Sequence, residues 1–195
     1  MEMLEVVCEN LGLPTGECVS RSEVIAKQLW CRSTNVFVMN SRGEILVHQR
    51  SLNKERLPGV WSTHLGGHVG EGEDFDLNAL KELQEEAGIV VSARDLLPWR
   101  TTKLLGPRLW VREYVAIIDQ PVEYFTPQVG EVERFSWMSI DDIMAAEAFE
   151  PKMWCAGTHD FKTEYACLRA VVVAAQALGA LQIPDTMRIW HPVTT

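Results

Sequence analysis

Glu82, Glu85 and Glu86 stand at positions i, i+3 and i+4 of one short segment, a spacing that places them on one side of a helix. Three carboxylates so close repel one another in water. A hard divalent cation that takes oxygen ligands makes such a cluster favourable. The residues around them predict the helix. Taking 100° per residue and Leu80 as zero, Leu77, Leu83 and Ala87 fall within about 60°, and the glutamates at roughly 140 to 240°. An apolar stripe is therefore expected to be buried, with the acidic stripe facing away. Asp74 or Asp76 can cap the start, and Gly88 suits the left-handed position that ends a helix. Gly66, Gly67, Gly70 and Gly72 crowd the preceding seven residues and let a ligand approach the main chain.

A Glu-x-x-Glu-Glu stripe alone is usually a solvated face. The longer spacing is more specific: Gly67, five residues, Glu73, seven residues, Lys81-Glu82-Leu83, one residue, Glu85-Glu86, one residue, Gly88-Ile89. This resembles the signature of the Nudix hydrolases at every fixed position except one, where Lys81 replaces the family's arginine. The resemblance implies an α+β fold, a Nudix-like α/β/α sandwich with a mixed β-sheet between helices. It also implies Mg²⁺ or Mn²⁺ held by Glu82, Glu85, Glu86 and the Gly67 carbonyl, acting on a small-molecule diphosphate. Such ions neutralise phosphoryl oxygens and lower the pKa of a bound water. Glu85, Glu82 and Glu131 are the alternatives for the group that takes the proton. Glu73 is expected to support the loop–helix geometry by accepting hydrogen bonds. Lys81 keeps the charge of the family's arginine but loses its planar fork.

The segments SRSEVIAKQLWCRSTNVFVMN, GEILVHQRS and LPGVWSTHLGGHV are similar to the Nudix subgroup related to isopentenyl diphosphate isomerase. The isomerases carry a catalytic cysteine where this chain has Gly66. They use metal-binding histidines where it has Trp30-Cys31-Arg32. His68 and Glu113 do match metal ligands of that branch. His64 and His68 are four apart, but in a strand-to-loop segment they would not share a face, so a zinc pair is disfavoured. Arg50, Lys54 and Arg56 are candidates to hold the outer phosphate, Arg50 foremost. Trp61 and Trp110 could stack on a base or meet a prenyl group. The reading is a hydrolase, with the isomerase and a non-catalytic binder of a phosphorylated ligand as alternatives.

Net charge is −9 over 195 residues, which argues against a protein that grips long nucleic acid. Five cysteines without a Cys-x-x-Cys pair argue against a disulfide framework, and no apolar run reaches membrane-spanning length. A cytoplasmic monomer or homodimer is expected. The 195 residues allow one domain: an N-terminal hairpin and helix (1–30), a core (31–148) and a helical extension with a tail (149–195).

Along the chain, residues 2–20 predict a hairpin turning near residues 12–16, and residues 22–30 a helix capped by Ser20 or Ser22. Strands are expected at 35–39 and 44–49 about a turn at 41–43, then at 109–118 and 134–138. Residues 50–58 read as a charged loop, and a second loop runs from Gly88 through Pro98. Residues 97–109 are expected to shape the substrate pocket. Ser139 caps a helix to about residue 148. Residues 161–181 form a long helix, apolar nearly all round from 166 to 180 and so buried in the core. The tail, 182–195, reads as irregular.

Overall fold

The computed structural model describes residues 2–155 and 161–177. The chain opens with an antiparallel hairpin, β1 (Met3–Val7) and β2 (Pro14–Ser20), followed by a short helix α1 (Arg21–Lys27) capped by Ser20. The main sheet comprises β3 (Cys31–Met39), β4 (Glu44–Arg50), β5 (Trp61–Ser62), β6 (Leu96–Leu104), β7 (Leu109–Ile117) and β8 (Val132–Ser139). Its order is β5-β4-β3-β7-β6, with β8 also pairing β4. At its centre β3 and β7 run parallel, from Cys31 opposite Leu109 to Met39 opposite Ile117. β3 is buried along almost its whole length, as a strand covered on both faces must be.

Side-chain alternation along β3 and β7 sorts the core into two layers. Val36, Val38, Tyr114 and Ala116 pack on Ala79, Leu83 and Ala87 of α2 (Phe75–Ala87). Phe37, Met39 and Val115 pack on Ile140 and Ile143 of α3 (Ile140–Phe149), and on Tyr165 and Leu168 of α4 (Phe161–Ala177). The result is the expected α/β/α sandwich around a mixed sheet.

Three expectations need correction. The loop expected to run through Pro98 ends sooner, because residues 96–104 are strand β6, antiparallel to β7. Pro98 hid it; the proline sits where the β6–β7 register shifts, on an outer strand that can spare an N–H. The inward face of α2 is turned from the predicted stripe. Leu77 is 52% exposed and Asn78 is wholly buried, because Asn78 finds hydrogen-bond partners in the core. Helix α4 is not buried all round: Tyr165 and Leu168 face the sheet while Cys167, Arg169 and Val173 are exposed. The predicted residues 178–181 of that helix and the tail lie outside the described residues.

Candidate active site

The glycine segment is stitched to β3 like an extra strand. Val36 N–H donates to Leu65 O (2.7 Å), Thr34 N–H to Gly67 O (2.9 Å) and Val69 N–H to Arg32 O (2.9 Å). Only glycine suits position 66. Its φ is +147°, and a Cβ there would sit 2.9 Å from the Thr34 carbonyl carbon, with that carbonyl's oxygen closer still. Helix α2 begins at Asp74, whose side chain accepts from Leu77 N–H, and stops at Gly88, at φ +68°.

Glu73 fastens this segment to the helix. Its carboxylate accepts from Gly70 N–H (2.9 Å), Asn78 Nδ2 (3.0 Å) and Lys81 Nζ (3.0 Å). The Gly70 bond leads the interactions that hold its pKa below the usual carboxylate value, against the opposing effect of burial. Asn78 also donates to His68 O (2.9 Å) and accepts from Thr34 Oγ1 (2.6 Å). Arg32 donates to Glu73 O (3.0 Å) and to Glu5 (2.7 Å), tying the N-terminal hairpin to the same point. Asn78 and Arg32 were missed in the sequence. The available signal was an asparagine beside the apolar positions of a helix that otherwise buries only hydrophobic side chains.

Two of the three glutamates press on the glycines. Glu86 accepts from Gly66 N–H (3.0 Å), and a Cβ on Gly67 would lie 2.5 Å from Glu82 Oε1. Burial pushes the Glu82 carboxyl up to about 7. Burial, then the charge of Glu82, pushes Glu86 up to about 8. Glu85 stands apart and exposed, beside Lys81 in an open groove of about 450 Å³ that Leu77, Leu80 and Val91 also line. Among the described residues no three His, Cys, Asp or Glu side chains converge as a cation site. The predicted triad is therefore a close pair with a third carboxylate on its flank. The Gly67 carbonyl already accepts from Thr34 N–H and from Ser33 Oγ (2.8 Å), which engages both of its lone pairs.

Glu131 comes from the loop before β8 and is ion-paired with Lys54; its charge reaches Glu86, as does that of Arg50. Arg50 itself donates to the carbonyls of Leu57 (3.2 Å) and Arg56 (3.3 Å), shaping the charged loop. Of the remaining candidates, Glu113, His68 and Trp61 lie on the other side of the sheet. Tyr114 reaches Asp76 of α2, so its neighbour Glu113 points the opposite way, where it is fully buried and paired with Arg100. His68 lies opposite Ser33 on that same face, and burial lowers its pKa. Trp61 packs there against Trp154, with ring centroids 6.2 Å apart. Trp110 donates to Glu9 O (3.1 Å) in the hairpin.

The model of the NUDIX domain matches residues 30–156, well over half of the chain. The chain belongs to the Nudix family. Its segment of 115 residues is 33% identical to the "Uncharacterized Nudix hydrolase PA4841" of Pseudomonas aeruginosa, covering 57% of this chain and 66% of that protein. Over 148 residues it is 27% identical to an isopentenyl-diphosphate Delta-isomerase of Paenarthrobacter aurescens, covering 74% of this chain and 79% of that one. Among the curated relatives first in similarity, several are matched over just under two thirds of their own length. The crystal structure of DR0079 from Deinococcus radiodurans superposes with a TM-score of 0.67 at 20% identity, over 87% of this chain and 98% of the other. This likeness shows the fold. No helix among the described residues is long and apolar enough to cross a membrane.

Proposed function

We propose that this Nudix protein is a metal-dependent hydrolase that cleaves the diphosphate linkage of a small organic diphosphate. The observation that carries the reading is the pair Glu82 and Glu86, half-buried against the Gly66–Gly67 backbone with carboxyls pushed up to about 7 and 8. A half-buried, mutually repelling carboxylate pair costs stability, and a hard cation with oxygen ligands offsets that cost. The donor set fits Mg²⁺ or Mn²⁺, with Glu85 able to swing in from its exposed position. The backbone ligand we favour is Gly66 O rather than Gly67 O. Among the described residues no hydrogen bond to Gly66 O is recorded, while Gly67 O is doubly engaged.

When bound, such an ion neutralises phosphoryl charge and acidifies a water molecule. The protein's own residues do the rest. Glu82 and Glu86 anchor the reacting end. Glu131, whose charge reaches Glu86, takes the proton from the attacking water in this reading, once substrate phosphate draws Lys54 away from it. Glu85 is the second acceptor of that proton. Arg50 and Lys54 hold the outer phosphate, and Glu73, Asn78 and Lys81 keep the loop and helix in register. Against the isomerase reading stands Gly66, whose backbone does not admit the side chain that chemistry requires there. A cytoplasmic location and a monomer or homodimer fit this reading.

The test is incubation with Mg²⁺ and a panel of nucleoside, sugar and prenyl diphosphates. Release of phosphate or a nucleotide is expected, and Glu131→Gln should lower turnover roughly 10²–10⁴-fold if it is the base. A double-bond shift without release would establish the isomerase instead. Unchanged turnover in Glu131→Gln would move the base to Glu85.

A further inference from the structure

Residues 51–59 form a loop whose neck is fixed and whose middle is not. Arg50 N–H donates to Val60 O (2.9 Å) and Gln49 Nε2 to Gly59 O (2.8 Å), closing the neck. Backbone bonds tie it to the site. Ser51 N–H donates to Glu131 O (2.8 Å), Glu131 N–H to Gln128 O (3.1 Å) and Gln128 N–H to Glu86 O (3.1 Å). Beyond the neck, every residue from Leu52 to Pro58 except Lys54 is exposed. Among the described residues, the arc 55–58 is hydrogen-bonded to the rest of the protein only by Arg50. Its Nε donates to Leu57 O (3.2 Å) and its Nη2 to Arg56 O (3.3 Å).

Those two bonds hold an unfavourable backbone. Leu57 stands at φ +52°, a left-handed conformation that a bulky side chain resists, and Pro58 narrows its alternatives further. Such strain persists only where the surroundings impose it. The two leucines of the arc face water, Leu57 at 53% and Leu52 at 68% exposure. A segment with so few buried contacts and so few bonds opens at low cost once its restraints are removed.

We propose that Arg50 is the latch of this loop. When it takes up a substrate phosphate it releases the carbonyls of Arg56 and Leu57, and the freed arc folds Leu52 and Leu57 over the organic group. This rests on the diphosphate reading above, in which Arg50 holds the outer phosphate. The exchange is favourable because a guanidinium bonds phosphate oxygens roughly twice as strongly as neutral carbonyls, with two bonds in parallel. The same anion draws Lys54 from Glu131, so the loop loses its ties to Arg50 and to Glu131 together. The base is thereby freed only when a phosphate is present, and the closing leucines exclude bulk water from it.

The test is limited trypsin cleavage of the full chain at the Arg56–Leu57 bond, read by mass spectrometry, in Mg²⁺ with and without inorganic pyrophosphate. Pyrophosphate binding is measured in parallel by calorimetry. Pyrophosphate releases the latch but has no organic group to cover, so it should speed this cleavage roughly 3- to 10-fold. A ligand that merely stabilised the folded chain would slow it. Arg50→Ala should be cleaved fast already and gain nothing from pyrophosphate, with Arg50→Lys between it and the wild type. Leu57→Asn, which accepts a left-handed backbone, should show less acceleration. It should also raise KM several-fold on whichever panel diphosphate is turned over, with kcat within about threefold. A wild type that binds pyrophosphate while this cleavage is unchanged or slowed would overturn the latch and leave the hydrolase reading intact. So would an acceleration that persists in a folded Arg50→Ala protein. Arg50-dependent acceleration with no turnover of any diphosphate would uphold the latch and overturn the hydrolase. If the wild type neither binds pyrophosphate nor turns over a diphosphate, both fall.

Discussion

Replacing Glu86 by glutamine should make the metal-free protein more stable at alkaline pH and nearly inactive. The folded chain holds the Glu86 carboxyl at about 8 against an ordinary value of 4.5. Below pH 4.5 the acid is neutral folded or unfolded, and burial of the group costs nothing through ionisation. As pH rises, the unfolded chain loses its proton first, so stability falls until the folded group also ionises near pH 8. Three and a half decades at about 1.4 kcal/mol each give roughly 4–5 kcal/mol as an upper figure. Part of that comes from repulsion with Glu82, which is shared with Glu82's own shift, so about 2 kcal/mol should return on substitution. Glutamine keeps an oxygen to accept from Gly66 N–H. In EDTA at pH 8, Glu86→Gln should therefore raise Tm by about 4–8 °C, and at pH 5 by much less. Thermal denaturation followed by circular dichroism at both pH values is the assay. A variant no more stable than wild type at pH 8, or one stabilised equally at pH 5, refutes the argument from ionisation. With Mg²⁺ added, the same substitution should abolish the metal-induced rise in Tm and lower turnover.

Three other substitutions probe the scaffold around that pair. Lys81→Arg should leave turnover equal or higher, since the guanidinium fork can hold Glu73 with two bonds where Lys81 Nζ makes one at 3.0 Å; a tenfold loss of kcat would oppose this role. Asn78→Leu removes the bonds to Thr34, His68 O and Glu73 together, and should cost about 2–4 kcal/mol in urea denaturation; a cost under about 0.5 kcal/mol would show that Asn78 does not brace the loop. Gly66→Cys should destabilise the fold by at least about 2 kcal/mol, from strain at φ +147° and collision with Thr34. The same variant should not isomerise isopentenyl diphosphate, which a proton-exchange assay on that compound checks.

Helix α2 was legible because its signals are local: Asp74, Gly88 and the glutamate spacing all act within a few residues. Which carboxylates face the loop was not legible. The roll of a helix is set by what it lies on, and here buried Asn78 bonds to β3 and the glycine segment outweigh the apolar pull of Leu77. The alternation rule would have placed Glu113 on the face opposite Tyr114, but no residue in the sequence says which face α2 covers. The partner of Gly67 O, in Ser33 and Thr34, lies more than thirty residues away and leaves no local trace. β6 escaped because proline lowers strand propensity while the register shift in β6 accommodates it. In α4, composition alone could not distinguish a helix buried all round from one that rests a single face on the sheet.

The parallel pairing of β3 with β7 fixes the order in which this protein can fold. Its hydrogen-bonded partners are 78 positions apart in the chain, as Cys31 and Leu109 show. Hairpins such as β6–β7 close locally and early, whereas a contact of that span must wait for a large loss of chain entropy. The two acidic side chains are driven out of water only when this central pair forms and α2 settles on it. Their partial burial is thus expected to come late in folding. A nascent chain would keep its acidic helix hydrated until the sheet is complete, and a divalent ion would act on the finished protein chiefly by slowing its unfolding.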